Sequence, residues 1–250
     1  MSDKIEVYYF SPTGGTKKVS GIFVDAMEKE VIWHDLGSKK PMMEKPEGEM
    51  IVIAAPVFGG RIPSVVREKI EKLSGTGKKA VTIAVYGNRA YEDALLEMND
   101  ILMKCGFTVI ASGAFVAQHS MAPEVGAGRP DGEDEKEIHK FAEFVKNSTA
   151  TENVHVPGNR PYKPELNMPV TPISLSSCTK CGKCVTICPT NAISVADGAV
   201  ITDTEKCILC MACTHVCTEQ ARIRPLPLQQ KTEQMLGALK GVRNKNEMFL

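Results

Sequence analysis

The chain has 250 residues, of which 43% are hydrophobic and 24% charged, and its 30 basic and 30 acidic side chains cancel to a formal net charge of zero. That balance argues against a nucleic-acid partner, which needs a basic surface. No apolar run is long enough to span a bilayer, and Met1-Ser2-Asp3-Lys4 leads straight into a short β-like run without an apolar leader, so the expected setting is the cytoplasm with no membrane partner.

Apolar runs recur at 5–10, 31–33, 50–57, 80–86 and 108–117, with amphipathic helical patterns at 16–28, 64–73, 91–104 and 133–146. Alternating short strands and helices imply a parallel sheet covered on both faces. The expectation is an α/β domain over residues 1–147 with a doubly wound, five-stranded parallel sheet. Cys105, near the end of an apolar helix, and Trp33, after the second strand, read as packing residues.

The loop leaving the first strand is Ser11-Pro12-Thr13-Gly14-Gly15-Thr16. A strand-to-helix loop offers free backbone N–H groups and the positive end of a helix, which together hold a phosphate. Hydroxyls at 11, 13 and 16 add donors, and Gly14 and Gly15 let the backbone approach the anion. The loop contains no Lys or Arg and matches neither dinucleotide nor P-loop fingerprints. A plain hydroxylated helix cap is the alternative reading.

Two later segments fall at carboxyl ends of strands, where doubly wound sheets bind ligands. One is Pro56-Val57-Phe58-Gly59-Gly60-Arg61, the other Tyr86-Gly87-Asn88-Arg89-Ala90-Tyr91. With the first loop they resemble the phosphate and flavin-ring loops of flavodoxins. The resemblance implies FMN as cofactor, with its phosphate on Ser11, Thr13, Gly14, Gly15 and Thr16. It implies Tyr91 stacked on the ring, Phe58 at its edge or other face, and Asn88 with neighbouring backbone on the pyrimidine edge. Arg89 would place a positive charge near the reduced ring. For both aromatics ordinary packing is the competing account, and for Arg89 a solvated surface role. His119 lies after the fifth strand on the same rim and is a candidate proton donor, against the reading of a loop His bonded to backbone.

Residues 148–172 carry Pro157, Pro161, Pro164, Pro169 and Pro172 and read as a semi-stiff linker that permits any docking position for the C-terminal third of the chain. Eight of the nine cysteines then fall between 178 and 217. Cys178, Cys181, Cys184 and Cys188 form a C-x2-C-x2-C-x3-C run, and Cys207, Cys210, Cys213 and Cys217 repeat it at an offset of 29 residues. Such a triplet wraps one face of an iron–sulfur cubane while the fourth Cys ligates the other cluster. That rule places Cys178, Cys181, Cys184 and Cys217 on one [4Fe–4S] cluster and Cys207, Cys210, Cys213 and Cys188 on the second. Zinc ribbons use two separated pairs instead, and a reducing compartment disfavours disulfides. The run resembles the two-cluster bacterial ferredoxins, with one departure: Thr218 stands where Pro usually follows the fourth Cys. A small α+β ferredoxin domain over 173–225 is expected, followed by a tail at 226–250 with Met235, Leu236, Leu239 and Val242 at helical spacing.

Taken together the segments resemble the flavodoxin–ferredoxin fusion proteins of anaerobes over nearly the whole chain. The implied function is electron transfer between FMN, two [4Fe–4S] clusters and an external redox protein such as a ferredoxin or oxidoreductase, with a homodimer left open. Competing readings are a flavin-dependent reductase of a small organic substrate, fed by its own clusters, and a redox sensor or scaffold. No NAD(P)H fingerprint occurs.

Overall fold

A computed structural model of the protein describes residues 4–166 and 168–250. The first module runs β1 (Lys4–Tyr9), α1 (Gly15–Met27), β2 (Glu30–Asp35), β3 (Met50–Pro56), α2 (Ser64–Ile70), β4 (Lys79–Tyr86), α3 (Ala94–Lys104), β5 (Thr108–Val116) and α4 (Gly132–Lys146). The five strands pair in parallel in the order β2-β1-β3-β4-β5. That order is the flavodoxin-like one, with its topological switch between β1 and β3. Strands β3 to β5 are apolar nearly throughout because helices bury both their faces. Val66 and Ile70 of α2 and Leu95, Met98 and Leu102 of α3 pack on one face. Val19 and Phe23 of α1 and Ile138 and Phe141 of α4 pack on the other. Each such side chain contributes about 1.5–3 kcal/mol by leaving water.

The helical pattern at 91–104 yields a helix only from Ala94. Glu92 sits at φ 45°, in the left-handed region that a right-handed helix cannot accommodate.

The second module is built from β6 (Ile173–Ser174), α5 (Lys183–Ile187), β7 (Ile193–Ala196), β8 (Ala199–Thr202), α6 (Ala212–His215) and β9 (Arg222–Ile223). The pairs β6–β9 and β7–β8 are antiparallel. The sequence repeat is visible in the backbone. Each short helix opens inside a cysteine triplet and is preceded by a left-handed residue, Gly182 at φ 77° and Met211 at φ 63°. The module's core is small and contains Cys188, Ala192, Ile193 and Cys213.

The connection and the tail both differ from the sequence expectation. Residues 148–172 do not hang free. Val154 and Val156 pack on the core, Asp93 accepts from the backbone N–H groups of Asn159 (2.8 Å) and Lys163 (2.6 Å), and Asp100 accepts from Arg160 (2.6 and 2.8 Å) and Tyr162 (2.5 Å). The two acidic side chains, on and before α3, hold the linker along that helix. The tail is helical only at first, as α7 (Leu226–Leu236) and a 3-10 turn (Gly237–Leu239). It then returns to the first module as β10 (Glu247–Phe249), a sixth strand antiparallel to β5. Three residues are too few for a readable period. The buried Arg129–Asp134 pair anchors the strap: Arg129 donates to the Asn244 carbonyl at 2.6 Å, and Asn246 donates to Asp134 at 2.9 Å. Arg243 forks onto Asp131 at 2.5 and 2.9 Å.

Candidate functional site

The carboxyl ends of β1, β3, β4 and β5 open into one cavity of about 740 Å³. Its floor carries Ser11, Pro12, Thr13, Gly15 and Thr16 of the first loop. Gly14, at φ 91°, turns the chain into α1, a conformation that costs any residue with a β-carbon. The Ser11 hydroxyl accepts from the backbone N–H of Lys17 at 2.9 Å. Helix α1 has no acidic residue in its first turn, so its positive end faces the cavity uncompensated. The two lysines that follow the loop are engaged elsewhere. Lys17 lies over the rings of Tyr9 and Trp33 at 5.4 and 5.9 Å, and Lys18 donates to the Pro130 carbonyl at 2.7 Å. An anion here would meet backbone and hydroxyl donors.

The wall above the loop comes from Pro56, Val57, Phe58 and Gly59 and from Tyr86, Gly87 and Arg89. Phe58 and Arg61 bond each other's backbones in a tight turn, at 2.8 and 3.2 Å. The linker crosses there: a β-carbon at Gly59 would lie 2.7 Å from that of Leu166. Gly87 has the same role for His119, whose ring occupies the space a side chain would fill. The Tyr86 hydroxyl donates to the Lys245 carbonyl at 2.6 Å, and Arg89 pairs with Glu92 at 2.7 Å.

Three residues expected at the ring lie off the cavity. Asn88 is fully buried behind it. Its amide donates to the Val242 carbonyl at 2.8 Å, and its oxygen accepts from the Asn244 N–H at 3.1 Å. Tyr91 is a core residue, edge-on to Tyr86 at 5.6 Å, with its hydroxyl donating to Glu247 at 2.7 Å. Gly60 is backed by the Glu92 side chain. The strap has taken up the polar groups of Asn88 and Tyr91, so the aromatics facing the cavity are Phe58 and Tyr86.

His119 does face it. Its Nδ1 accepts from the Met121 N–H at 3.1 Å, which leaves the proton on Nε2. Burial, then the neighbouring Arg224 and Arg89, pushes its pKa down to about 4. The side chain is therefore a neutral hydrogen-bond donor at neutral pH.

The second module forms the roof. Met168 and Pro169 of the linker, Thr204, Cys207, Ile208 and Leu209 of the second cysteine loop, and Thr232, Met235 and Leu236 of α7 line the same cavity. Ile208 and Cys210 also pack against the core of the first module. None of these contacts has a sequence signal, because each joins segments far apart in the chain.

The cysteines gather in two sets. Cys178, Cys181, Cys184 and Cys217 line a separate small cavity. Cys188 and Cys213 are buried in the core of the second module with Cys207 and, from the first set, Cys184 against them, and the thiols of Cys213, Cys188 and Cys207 all bear on Cys210. Burial pushes the Cys210 thiol up to about 12. In the second set the Cys188 sulfur also accepts the Ala192 N–H at 3.2 Å. Four soft thiol donors around one space suit an iron–sulfur cluster. Among the described residues no three His, Cys, Asp or Glu side chains close on one point as a single-ion site would. Cys105 stands apart, half-buried at the end of α3, with its thiol facing the carbonyls of Ile70 and Glu71. Among the described residues no helix is long and apolar enough to cross a membrane.

Comparison with known proteins bears on the second module. The 4Fe-4S binding domain family matches residues 171–194, and a second form of that domain matches residues 204–220. An uncharacterized ferredoxin-like protein of Haemophilus influenzae is 36% identical over 67 residues, which are 24% of this chain and 78% of that protein. The polyferredoxin-like subunit of an aliphatic sulfonate oxidoreductase of Pyrococcus furiosus is 45% identical over 58 residues, 22% of this chain. The chain spans only 30% of that subunit's length. Among solved structures, oxidised flavodoxin 1 of Bacillus cereus aligns with 58% of this chain and 99% of its own at 19% identity and a TM-score of 0.45.

Proposed function

The chain belongs to the ferredoxin-like proteins, and from that premise we propose that it is an electron-transfer iron–sulfur flavoprotein. FMN occupies the 740 Å³ cavity, with its phosphate on the 11–16 loop and its ring between the 56–59 and 86–89 segments. Cys178, Cys181, Cys184 and Cys217 hold one [4Fe–4S] cluster, and Cys207, Cys210, Cys213 and Cys188 hold the other. The bound groups supply one-electron exchange at each cluster and one- or two-electron exchange at the flavin. The protein's part is to set distance, order and local charge.

One observation carries this reading: Cys207 lines the cavity that the phosphate loop opens into. The second cluster would lie next to the flavin, and the first, with exposed Cys181, would face an external redox protein. Two single-electron passages through the clusters then match one two-electron change at the flavin. Because the path closes within one chain, it does not call for a homodimer.

The test is anaerobic purification with iron, sulfide and flavin quantitation, followed by a stepwise redox titration. About eight irons, about eight labile sulfides and one FMN per chain are expected for two clusters and one flavin. Bound zinc, or absent flavin, would overturn the reading.

A further inference from the structure

Arg222 is buried in the second module at 4% exposure, and its Nε is the only fully buried side-chain nitrogen or oxygen among the described residues without a hydrogen-bond partner. Nη1 donates to the Ser174 hydroxyl at 3.0 Å and Nη2 to the Thr202 hydroxyl. Among the described residues no carboxylate pairs with it. A guanidinium cannot shed its proton, and a buried charge without a counter-charge is strongly unfavourable. Two hydroxyls do not supply that counter-charge.

Arg222 lines the small cavity with Cys178, Cys181, Cys184 and Cys217, and the charged residues Lys180, Lys183 and Glu219 line it as well. Arg222 also acts electrostatically on Cys213, from the other set, and on Cys184 and Cys207. The buried cation therefore borders the first thiol set and acts on members of the second, and its Nε–H is left without a protein partner.

We propose that Arg222 is the shared counter-charge of the two clusters, donating N–H···S hydrogen bonds and raising both reduction potentials. The proposal rests on the cluster assignment above. Each reduction adds one electron, taken from an external donor protein, and one negative charge to a cluster. A fixed neighbouring cation stabilises the reduced form more than the oxidised one, and hydrogen bonds to cluster sulfurs act in the same direction. The rival account is mechanical: Arg222 ties Ser174 of β6 to Thr202 of β8.

Arg222→Gln keeps a donor and removes the charge, whereas Arg222→Lys keeps the charge and loses the fork. Both are compared with wild type by iron and sulfide content and by EPR-monitored potentiometry. Arg222→Gln with both clusters present should be harder to reduce by at least tenfold in the one-electron equilibrium constant, about 59 mV, while Arg222→Lys stays within about threefold, roughly half that shift. Equal shifts in the two variants, or none, would overturn the proposal.

If the variants lose iron, the wild-type protein labelled with 15Nε-arginine decides. Pulsed EPR of the reduced clusters should show hyperfine coupling to that nitrogen, and its absence would overturn the assignment. A wild-type chain that reconstitutes without iron overturns the cluster assignment itself, and the proposal with it.

Discussion

Cys207 of the second cysteine loop and Ser11 of the phosphate loop wall the same cavity, although they lie in different modules far apart in the 250-residue chain. The linker and the C-terminal strap hold this juxtaposition on both sides. Asn153 and Val154 are bonded to Val109 of β5, residues 159–163 are held by Asp93 and Asp100 along α3, and β10 completes the sheet beside β5. Covalent linkage that also fixes geometry makes transfer between modules a first-order event. After mixing with a reduced external ferredoxin, cluster bleaching should precede flavin reduction at a rate independent of protein concentration. Cys207→Ser should slow the flavin phase more than Cys178→Ser. A second-order flavin phase would show that the modules exchange electrons between chains.

Gly14→Asp should abolish FMN binding. The position is left-handed at φ 91°, and nothing lies within 4 Å of where its β-carbon would be, so conformation and charge act rather than a clash. Gly14→Ala should carry only the conformational part, about 1–2 kcal/mol, and keep the flavin. Fluorescence titration with FMN distinguishes the two. Equal affinities for the Asp variant and wild type would place the phosphate elsewhere.

Phe58→Ala and Tyr91→Phe should separate cavity from core. Phe58 lines the cavity, so its loss should weaken FMN by about 0.5–1.5 kcal/mol beyond lost burial. Tyr91→Phe removes the 2.7 Å hydrogen bond to Glu247 and should cost about 1 kcal/mol of stability with unchanged flavin affinity. Denaturant midpoints and flavin titrations on both variants read the contrast. A drop in flavin affinity for Tyr91→Phe would give the Tyr91 hydroxyl a part in holding the flavin.

His119 gives a pH dependence with a definite sign. Its pKa falls from 6.5 to about 4 on folding, by burial first and by Arg224 and Arg89 next. Between those values the unfolded chain binds a proton that the folded chain does not, so stability falls as pH drops from 6.5 toward 4. Above that window the contribution is constant. His119→Gln should flatten this part of the profile, as read from denaturant midpoints at several pH values. A wild-type slope that survives the substitution would belong to other groups.

The C-x2-C-x2-C-x3-C repeat, the strand-to-helix loop at 11–16 and the five alternating apolar runs are local patterns, and they specify local things. Ligand type, an anion-binding turn and a doubly wound parallel sheet follow from spacing within a few residues, because backbone geometry and side-chain period act over that range. The partners of Asn88 and Tyr91, the roof over the cavity, the course of the linker and the sixth strand lay outside that reach. Asn88 meets Val242 and Asn244, Tyr91 meets Glu247, and Cys207 meets the cavity of the first module only when segments distant in the chain compete for the same buried polar groups and apolar surface. Tertiary packing settles that competition, since a buried hydrogen-bonding group must find a partner from whichever segment the fold brings to it.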